Sequence, residues 1–277
     1  MGGSKGVRWW TASGLFILVW AVFPLLWMVS LSFKDPNTFR SSSPSFFPTK
    51  WVWTNYKTVF SDSLFTSALR NSIGIAVIAT LLSVVVAMFA AYAIARLEFP
   101  GKKILLSTAL AIAMFPQAAL VGPLFNMWRN LGIYDTWIGL IIPYLTFALP
   151  LSIWTMSAFF RQIPWEMEQA AQVDGATPWQ AFRKVIIPLA APGVFTTAIL
   201  TFFFCWNEFL LAISLTSTDK ARTVPAALSF FTGASQFQSP ITAIMAASVV
   251  VTIPVIIIVL VFQRRIVAGL TAGAVKG

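Results

Sequence analysis

Six long apolar stretches dominate this 277-residue sequence and restrict it to a membrane-spanning fold. A helix crosses the bilayer core with about 20 apolar residues, and each stretch reaches that length. Only 10% of the residues are charged, whereas soluble domains carry about a quarter. The pattern predicts an all-α polytopic membrane protein, with one transmembrane domain over residues 1–277 and spans at about 10–32, 71–95, 104–125, 137–160, 190–215 and 240–263.

Several classes of chemistry are excluded by residues that the sequence lacks. It contains no histidine, and its one cysteine, Cys205, lies in an apolar run, so histidine metal sites, Ser-His-Asp triads and an intrachain disulfide are excluded. It also contains no GxxxxGK phosphate loop and no evident cluster of metal ligands. We therefore predict no catalytic residue, no metal site and no cofactor bound by this chain.

The formal net charge of +10 is better explained by membrane topology than by nucleic acid. Basic residues in short loops favour the cytoplasm, and six crossings place both chain ends on one side. We predict membrane lipid as a partner, no nucleic-acid partner and cytoplasmic termini. The internal basic residues would be Lys5, Arg8, Arg96, Lys102, Lys103, Arg161, Arg183, Lys184, Arg264, Arg265 and Lys276.

Residues 161–189 form a polar interlude with helical signals of its own. After Pro164, an apolar and small-residue pattern recurs at spacings of three and four, which predicts a short helix with a narrow face suited to close docking. That face comprises Met167, Ala170, Ala171 and Asp174.

A turn and a second helix are predicted after Asp174. Gly175 suits a left-handed helix end, and Thr177 precedes Pro178 with Gln180 three residues on, which indicates a capping box. Pro188 would close this second helix before the next span. The interlude therefore reads as a helical elbow anchored at both ends by membrane helices.

The run QAAQVDGATPWQAFRKVIIPLAAP resembles the EAA motif of binding-protein-dependent ABC importer permeases of type I. In that family the motif is a cytoplasmic loop whose helix docks into a groove of the ATPase. The glutamate of the motif is replaced by Gln169, with Glu168 immediately before it. The matching positions are Ala170, Ala171, Asp174, Gly175, Ala176, Phe182, Pro188 and Pro192.

The resemblance covers nearly the whole chain and is closest to the carbohydrate-uptake permeases, as the patches SFKDPNTF, RLEFPGKK and WNEFLLAISL indicate. It implies a bacterial plasma-membrane subunit of a sugar importer, with a disaccharide such as trehalose as the expected substrate. It also implies a second homologous permease, two ATPase subunits that bind ATP and Mg²⁺, and an extracytoplasmic sugar-binding protein or lipoprotein. The chain itself would not be an enzyme.

Candidate residues for the substrate path begin with Glu208, the only acidic residue inside a predicted span. A carboxylate in lipid is costly unless it is paired or hydrated, so it should face the bundle interior. With Trp206 and Asn207 it would offer a sugar an aromatic face and hydrogen-bonding groups. The alternative is a structural pair with the partner permease.

Two further groups are weaker candidates. Gln117, Asn126 and Asn130 would line a cavity, or lie at the membrane interface. The segment 216–239, with Asp219, Lys220, Arg222 and Thr223, resembles the loop that enters the binding protein, and the alternative is an ordinary solvated loop.

A second class of function stays open at this point: a self-sufficient secondary transporter or channel driven by an ion gradient, with Glu208 as the carrier of a proton or cation. Against it, the chain shows no convincing internal repeat and only one intramembrane acid.

Overall fold

The computed structural model describes residues 3–36, 45–231 and 241–272, with side chains from residue 9 to residue 263 within those ranges. This part of the chain contains helices and no strand, in agreement with the predicted all-α class. The α-helices are α1 Gly3–Ser32, α2 Thr54–Ser61, α3 Ser63–Arg96, α4 Lys102–Ala113, α5 Gln117–Leu131, α6 Trp137–Gln162, α7 Trp165–Val173, α8 Pro178–Ala181, α9 Ile187–Leu189, α10 Ala191–Asn207, α11 Leu210–Leu215, α12 Val224–Leu228 and α13 Ile241–Ala272. A π-helix at Phe182–Ile186 joins α8 to α9.

Four of the described helices are long and apolar enough to cross a membrane: Trp9–Ser32, Ser63–Arg96, Trp137–Gln162 and Ile241–Gln263. Two bent pairs raise the number to six if each pair is one span. The polytopic class predicted from the sequence is therefore confirmed.

One bent pair divides a stretch that the sequence presents as a continuous apolar run, and the other joins the polar interlude to the span that follows it. Lys102–Ala113 and Gln117–Leu131 meet at 87°, and Pro178–Leu189 meets Ala191–Asn207 at 71°. Proline explains both positions, because Pro116 is extended just before α5 and Pro192 occupies the first turn of α10, where a missing N–H is tolerated. The stretch predicted as 190–215 also contains a break at Glu208 and Phe209, between α10 and α11.

One compact unit comprises Met1–Thr66 and Leu228–Pro254. The Asn55 side chain is its main polar joint: it donates to the carbonyls of Ser32 and Lys34, each at 2.8 Å, and accepts from the Thr242 hydroxyl at 3.1 Å. Aromatic rings surround Phe33 at centroid distances of 5.0–5.1 Å, contributed by Trp51, Trp53 and Tyr56. Interfacial aromatic residues of this kind favour the membrane–water boundary.

The other compact unit comprises Ser67–Ala227 and Val255–Gly277. Hydroxyls link three of its helices in the interior, since Ser152 of α6 lies 3.2 Å from Ser83 of α3 and 2.9 Å from Thr201 of α10. An apolar cluster lies between α3, α6 and residues 182–190; its members are Val84, Ala91, Met156, Phe160, Phe182, Ile186 and Ala190. This cluster positions the polar interlude against the membrane helices.

Candidate functional site

The interlude folds as the predicted elbow. Helix α7 ends at Val173, Gly175 follows with φ +88°, and α8 begins at Pro178. The Thr177 hydroxyl accepts from the Gln180 backbone N–H at 3.3 Å, and the Gln180 side chain accepts from the Thr177 backbone N–H at 2.9 Å. The left-handed glycine and the capping box predicted from the sequence are both confirmed.

The second arm of the elbow continues from α8 as a π-helix. The Ile187 N–H bonds to the carbonyl of Phe182, five residues earlier. Pro188 accounts for this wide turn, because proline lacks an N–H and its ring clashes with the carbonyl four residues before it. Phe182 and Ile186, the first and last residues of this π-helix, point inward and are buried.

On the inner side of α7, Glu168 forms a polar cluster with Tyr92 and Arg96 of α3. Glu168 is 3% exposed, and the Tyr92 hydroxyl donates to its Oε1. The Arg96 Nε lies 3.6 Å from Glu168 Oε2. Glu168 belongs to the predicted motif, but its partners could not be predicted from that motif, since they lie on α3, far away along the chain.

The outer side of α7 is open to solvent in this chain. Val173 is 87% exposed and Met167 49%, although both are apolar. Gln169, Ala170, Asp174 and Gly175 are exposed as well, whereas Ala171 and Ala176 are half-buried and Phe182 is buried. The eight predicted coupling residues thus divide into four that are exposed, two that are half-buried and the inward-facing pair Glu168 and Phe182.

The Glu208 carboxylate is held within this chain. The Tyr144 hydroxyl donates to its Oε2 at 2.9 Å, and the backbone N–H groups of Leu211 and Ala212 donate to it at 2.7 and 3.0 Å. Its side chain therefore caps α11 at the break after α10, since the first N–H groups of a helix need acceptors. All three of these hydrogen bonds lie within this chain.

The neighbours of Glu208 differ in accessibility. Trp206 is 2% exposed and stacks on Phe202 with ring centroids 5.5 Å apart. Asn207 is exposed, and its amide donates to the Phe203 carbonyl at 2.8 Å. Of these three predicted residues, Asn207 alone presents its side chain outside the fold of this chain.

The remaining substrate-path candidates lie on α5. Gln117 is half-buried at the start of the helix. Asn126 and Asn130 are exposed, and their spacing of four residues places them on one face, one turn apart. The structure does not bring Glu208 and these amides into a hydrogen-bonded group among the described contacts.

The loop after α11 is fixed by side chains from other elements. Asp135 accepts from the N–H groups of Ser217 and Thr218 at 2.9 and 3.2 Å. The Asn71 amide donates to the carbonyls of Asp219 and Arg222 at 2.8 and 3.1 Å. The Asn71 side chain therefore fixes the loop backbone at these two carbonyls.

The predicted binding-loop residues differ in how far they are exposed. Asp219 and Lys220 are exposed, Arg222 is half-buried and donates to the Ser217 carbonyl at 2.6 Å, and Thr223 is buried. Residues 232–239 of the predicted loop lie outside the described part of the chain. The side chains of Lys5, Arg8, Arg264, Arg265 and Lys276 lie outside it as well.

These features define a class: a polytopic helical membrane protein with a short helical elbow between two of its membrane helices. Residues 83–271 match the family described as "Binding-protein-dependent transport system inner membrane component". The chain belongs to this family, and it is a multi-pass inner-membrane permease of an ABC importer.

The chain is similar over nearly its whole length to two permeases and to one solved structure. The chain is 55% identical to the trehalose transport system permease protein SugB of Mycobacterium tuberculosis, over 99% of this chain and 100% of that one. It is 40% identical to the trehalose/maltose transport system permease protein MalG of Thermococcus litoralis, over 95% and 94%. A chain from the crystal structure of a bacterial ABC transporter for import of the acidic polysaccharide alginate matches with a TM-score of 0.78 and 26% identity, over 94% of this chain and 95% of that one.

Proposed function

We propose that this permease imports a sugar, and that the sugar is the disaccharide trehalose. SugB and MalG both carry trehalose in their names, and SugB is similar to this chain over its full length. A disaccharide offers hydroxyl groups for hydrogen bonding and apolar ring faces for aromatic contact.

The proposed complex contains a second homologous permease, two ATPase subunits and an extracytoplasmic sugar-binding protein or lipoprotein. The ATPase subunits bind ATP and Mg²⁺ and carry out hydrolysis, since this sequence has no GxxxxGK loop. Both termini and the elbow of this chain face the cytoplasm in this arrangement. The family description, with its dependence on a binding protein, supports the external partner.

The observation that carries this proposal is the outer side of α7. Val173 at 87% exposure, with the exposed Ala170 and the amide Gln169 beside it, forms a helix face that this chain leaves uncovered. Small side chains allow a partner groove to approach the helix closely. We assign this face, together with Asp174 and Gly175, to contact with an ATPase subunit.

Transport follows from movement of the elbow under the alternating-access scheme. Closure of the two ATPase subunits on ATP draws the elbows of the two permeases together and opens the cavity outward, and hydrolysis resets it. Taking a two-state pore from 1:99 to 99:1 requires about 5.5 kcal/mol of differential binding. The exposed amides Asn207, Asn126 and Asn130 are the groups of this chain that we place on the sugar's path.

The test is a Val173→Asp variant, with Leu131→Asp as its control. Leu131 is also an exposed apolar residue, at 63%, but it ends α5 outside the elbow. Purified from membranes, the Val173 variant should lose most of the co-purified ATPase and the trehalose-stimulated hydrolysis, while the Leu131 variant retains both. Equal recovery of ATPase with both variants would contradict the assigned face.

Transport assays in vesicles separate this function from the ion-gradient alternative. Uptake of labelled trehalose should require ATP and the loaded binding protein, and it should persist when the membrane potential is collapsed. Uptake by this chain alone, driven by an ion gradient, would overturn the proposal. The three hydrogen bonds that hold Glu208 in place argue against a mobile ion carrier at that position.

A further inference from the structure

The polar cluster of Tyr92, Arg96 and Glu168 joins the elbow to the last turns of α3. The Glu168 carboxylate is 3% exposed, and the Arg96 side chain is 5% exposed. A buried carboxylate that loses its partners is strongly destabilised, so the cluster resists opening once it has formed.

Arg96 also holds the joint between α6 and α7. Its Nη2 donates to the Ile163 carbonyl at 2.9 Å, and its guanidinium lies 5.0 Å from the centre of the Trp165 ring. These two residues flank Pro164. One guanidinium from α3 therefore contacts the chain on both sides of the point where the elbow begins.

Tyr92 connects the same turn of α3 to the second arm of the elbow. Its ring lies 4.6 Å from that of Phe182 in the π-helix and 6.2 Å from that of Phe160 in α6. Its hydroxyl reaches the first arm at Glu168. Both arms of the elbow are thus attached to one short segment of α3.

We propose that this cluster makes the elbow and the adjoining end of α3 move as one body, so that displacement of α7 by a partner is passed directly into a membrane-spanning helix. Tyr92, Arg96 and Glu168 are then positioning residues for energy coupling. They do not touch the ATPase or the sugar. This inference rests on the proposed function, in which the outer side of α7 meets the ATPase.

The variants that test it remove or weaken the bond between Tyr92 and Glu168 and leave the packing. Tyr92→Phe keeps the ring on Phe182 but removes the hydroxyl donor, and Glu168→Gln keeps the volume but removes the charge. The control is Tyr134→Phe, which makes the same chemical change on a ring that packs against Phe125 at 5.1 Å, away from the elbow.

The measurement is the number of sugar molecules imported per ATP hydrolysed by the assembled complex in vesicles. Tyr92→Phe should lower this ratio by about tenfold or more, the factor that loss of a hydrogen bond to a charged group makes in a two-state equilibrium, while the yield of complex stays equal. Glu168→Gln should do the same. The double variant should lower the ratio by less than the product of the two single effects, because both changes act on the bond between Tyr92 and Glu168.

A role in folding alone gives a different result: fewer assembled complexes, each with the wild-type ratio, and this would overturn the proposal. Independent effects that multiply in the double variant would overturn it as well. The wild-type complex tests the proposed function separately. If it shows no ATP-driven sugar uptake, the proposed function is wrong, whatever the variants do.

Discussion

Gly175 offers the sharpest perturbation of the elbow, because its conformation is one that other residues avoid. Its φ of +88° lies in the left-handed region, and no atom lies within 4 Å of a Cβ added there. Within this chain, substitution therefore introduces backbone strain without a steric clash. For an L-residue this strain is about 1–2 kcal/mol, which changes a two-state equilibrium by roughly 5- to 30-fold.

The strain acts on the turn between α7 and α8. That turn is closed by the Gly175 N–H to the Gln172 carbonyl at 3.0 Å and the Ala176 N–H to the Ala171 carbonyl at 2.9 Å. A chain that leaves the left-handed region loses this geometry and alters the angle between the two arms. The buried contacts of Phe182 are distant from the change, so the overall fold should be retained.

The assay compares import per ATP hydrolysed for Gly175→Asn, Gly175→Ala and Gly175→Val in the reconstituted complex. Asparagine tolerates the left-handed region, so its variant should stay near wild type, whereas alanine and then the β-branched valine should uncouple hydrolysis from import progressively. Melting temperatures should stay within a few degrees of one another. Wild-type coupling in the valine variant, or equal damage from asparagine and valine, would refute the reasoning.

Two further predictions concern stability in detergent, measured by thermal unfolding. Tyr144→Phe removes the donor at 2.9 Å from the buried Glu208 carboxylate and should lower the free energy of unfolding by about 1.5–3 kcal/mol; an unchanged melting temperature would contradict the bond. Gly193→Ala places a Cβ 2.4 Å from Phe159 Cγ and should cost about 1–3 kcal/mol, whereas Gly122→Ala, with no atom within 4 Å, should not share that cost.

The local parts of the elbow could be predicted from the sequence, because their signals are local. A glycine directly after a helical pattern predicts a left-handed helix end, as Gly175 shows. Thr177 and Gln180, three residues apart, predict a capping box, which the structure contains. The apolar runs predicted the membrane helices for the same reason, since length and hydropathy are properties of one segment.

The rest depends on contacts between distant segments, which no short pattern encodes. Glu168 and Gln169 are adjacent polar residues, yet Glu168 is buried and Gln169 is exposed. Glu168 is buried against Tyr92 and Arg96, which lie on α3. Glu208 was correctly expected to face inward, but its use as a cap for α11 required knowledge that the helix breaks there. The apolar runs on both sides of Asn207 and Glu208 are long enough together to predict one continuous span, so the break itself was not predicted.

The loop after α11 has a consequence for the thermodynamics of recognition. Asp135 and Asn71 already fix its backbone, so a protein that docks on Asp219 and Lys220 meets a surface that is ordered before contact. Binding to a flexible loop costs free energy to order its backbone, and about 0.5–1.5 kcal/mol more for each side chain that becomes immobilised. In this loop the backbone is already ordered when the chain folds, so mainly the side-chain cost remains. Association with such a loop should therefore be close to rigid-body docking, with its specificity set by the few side chains that remain free to adjust.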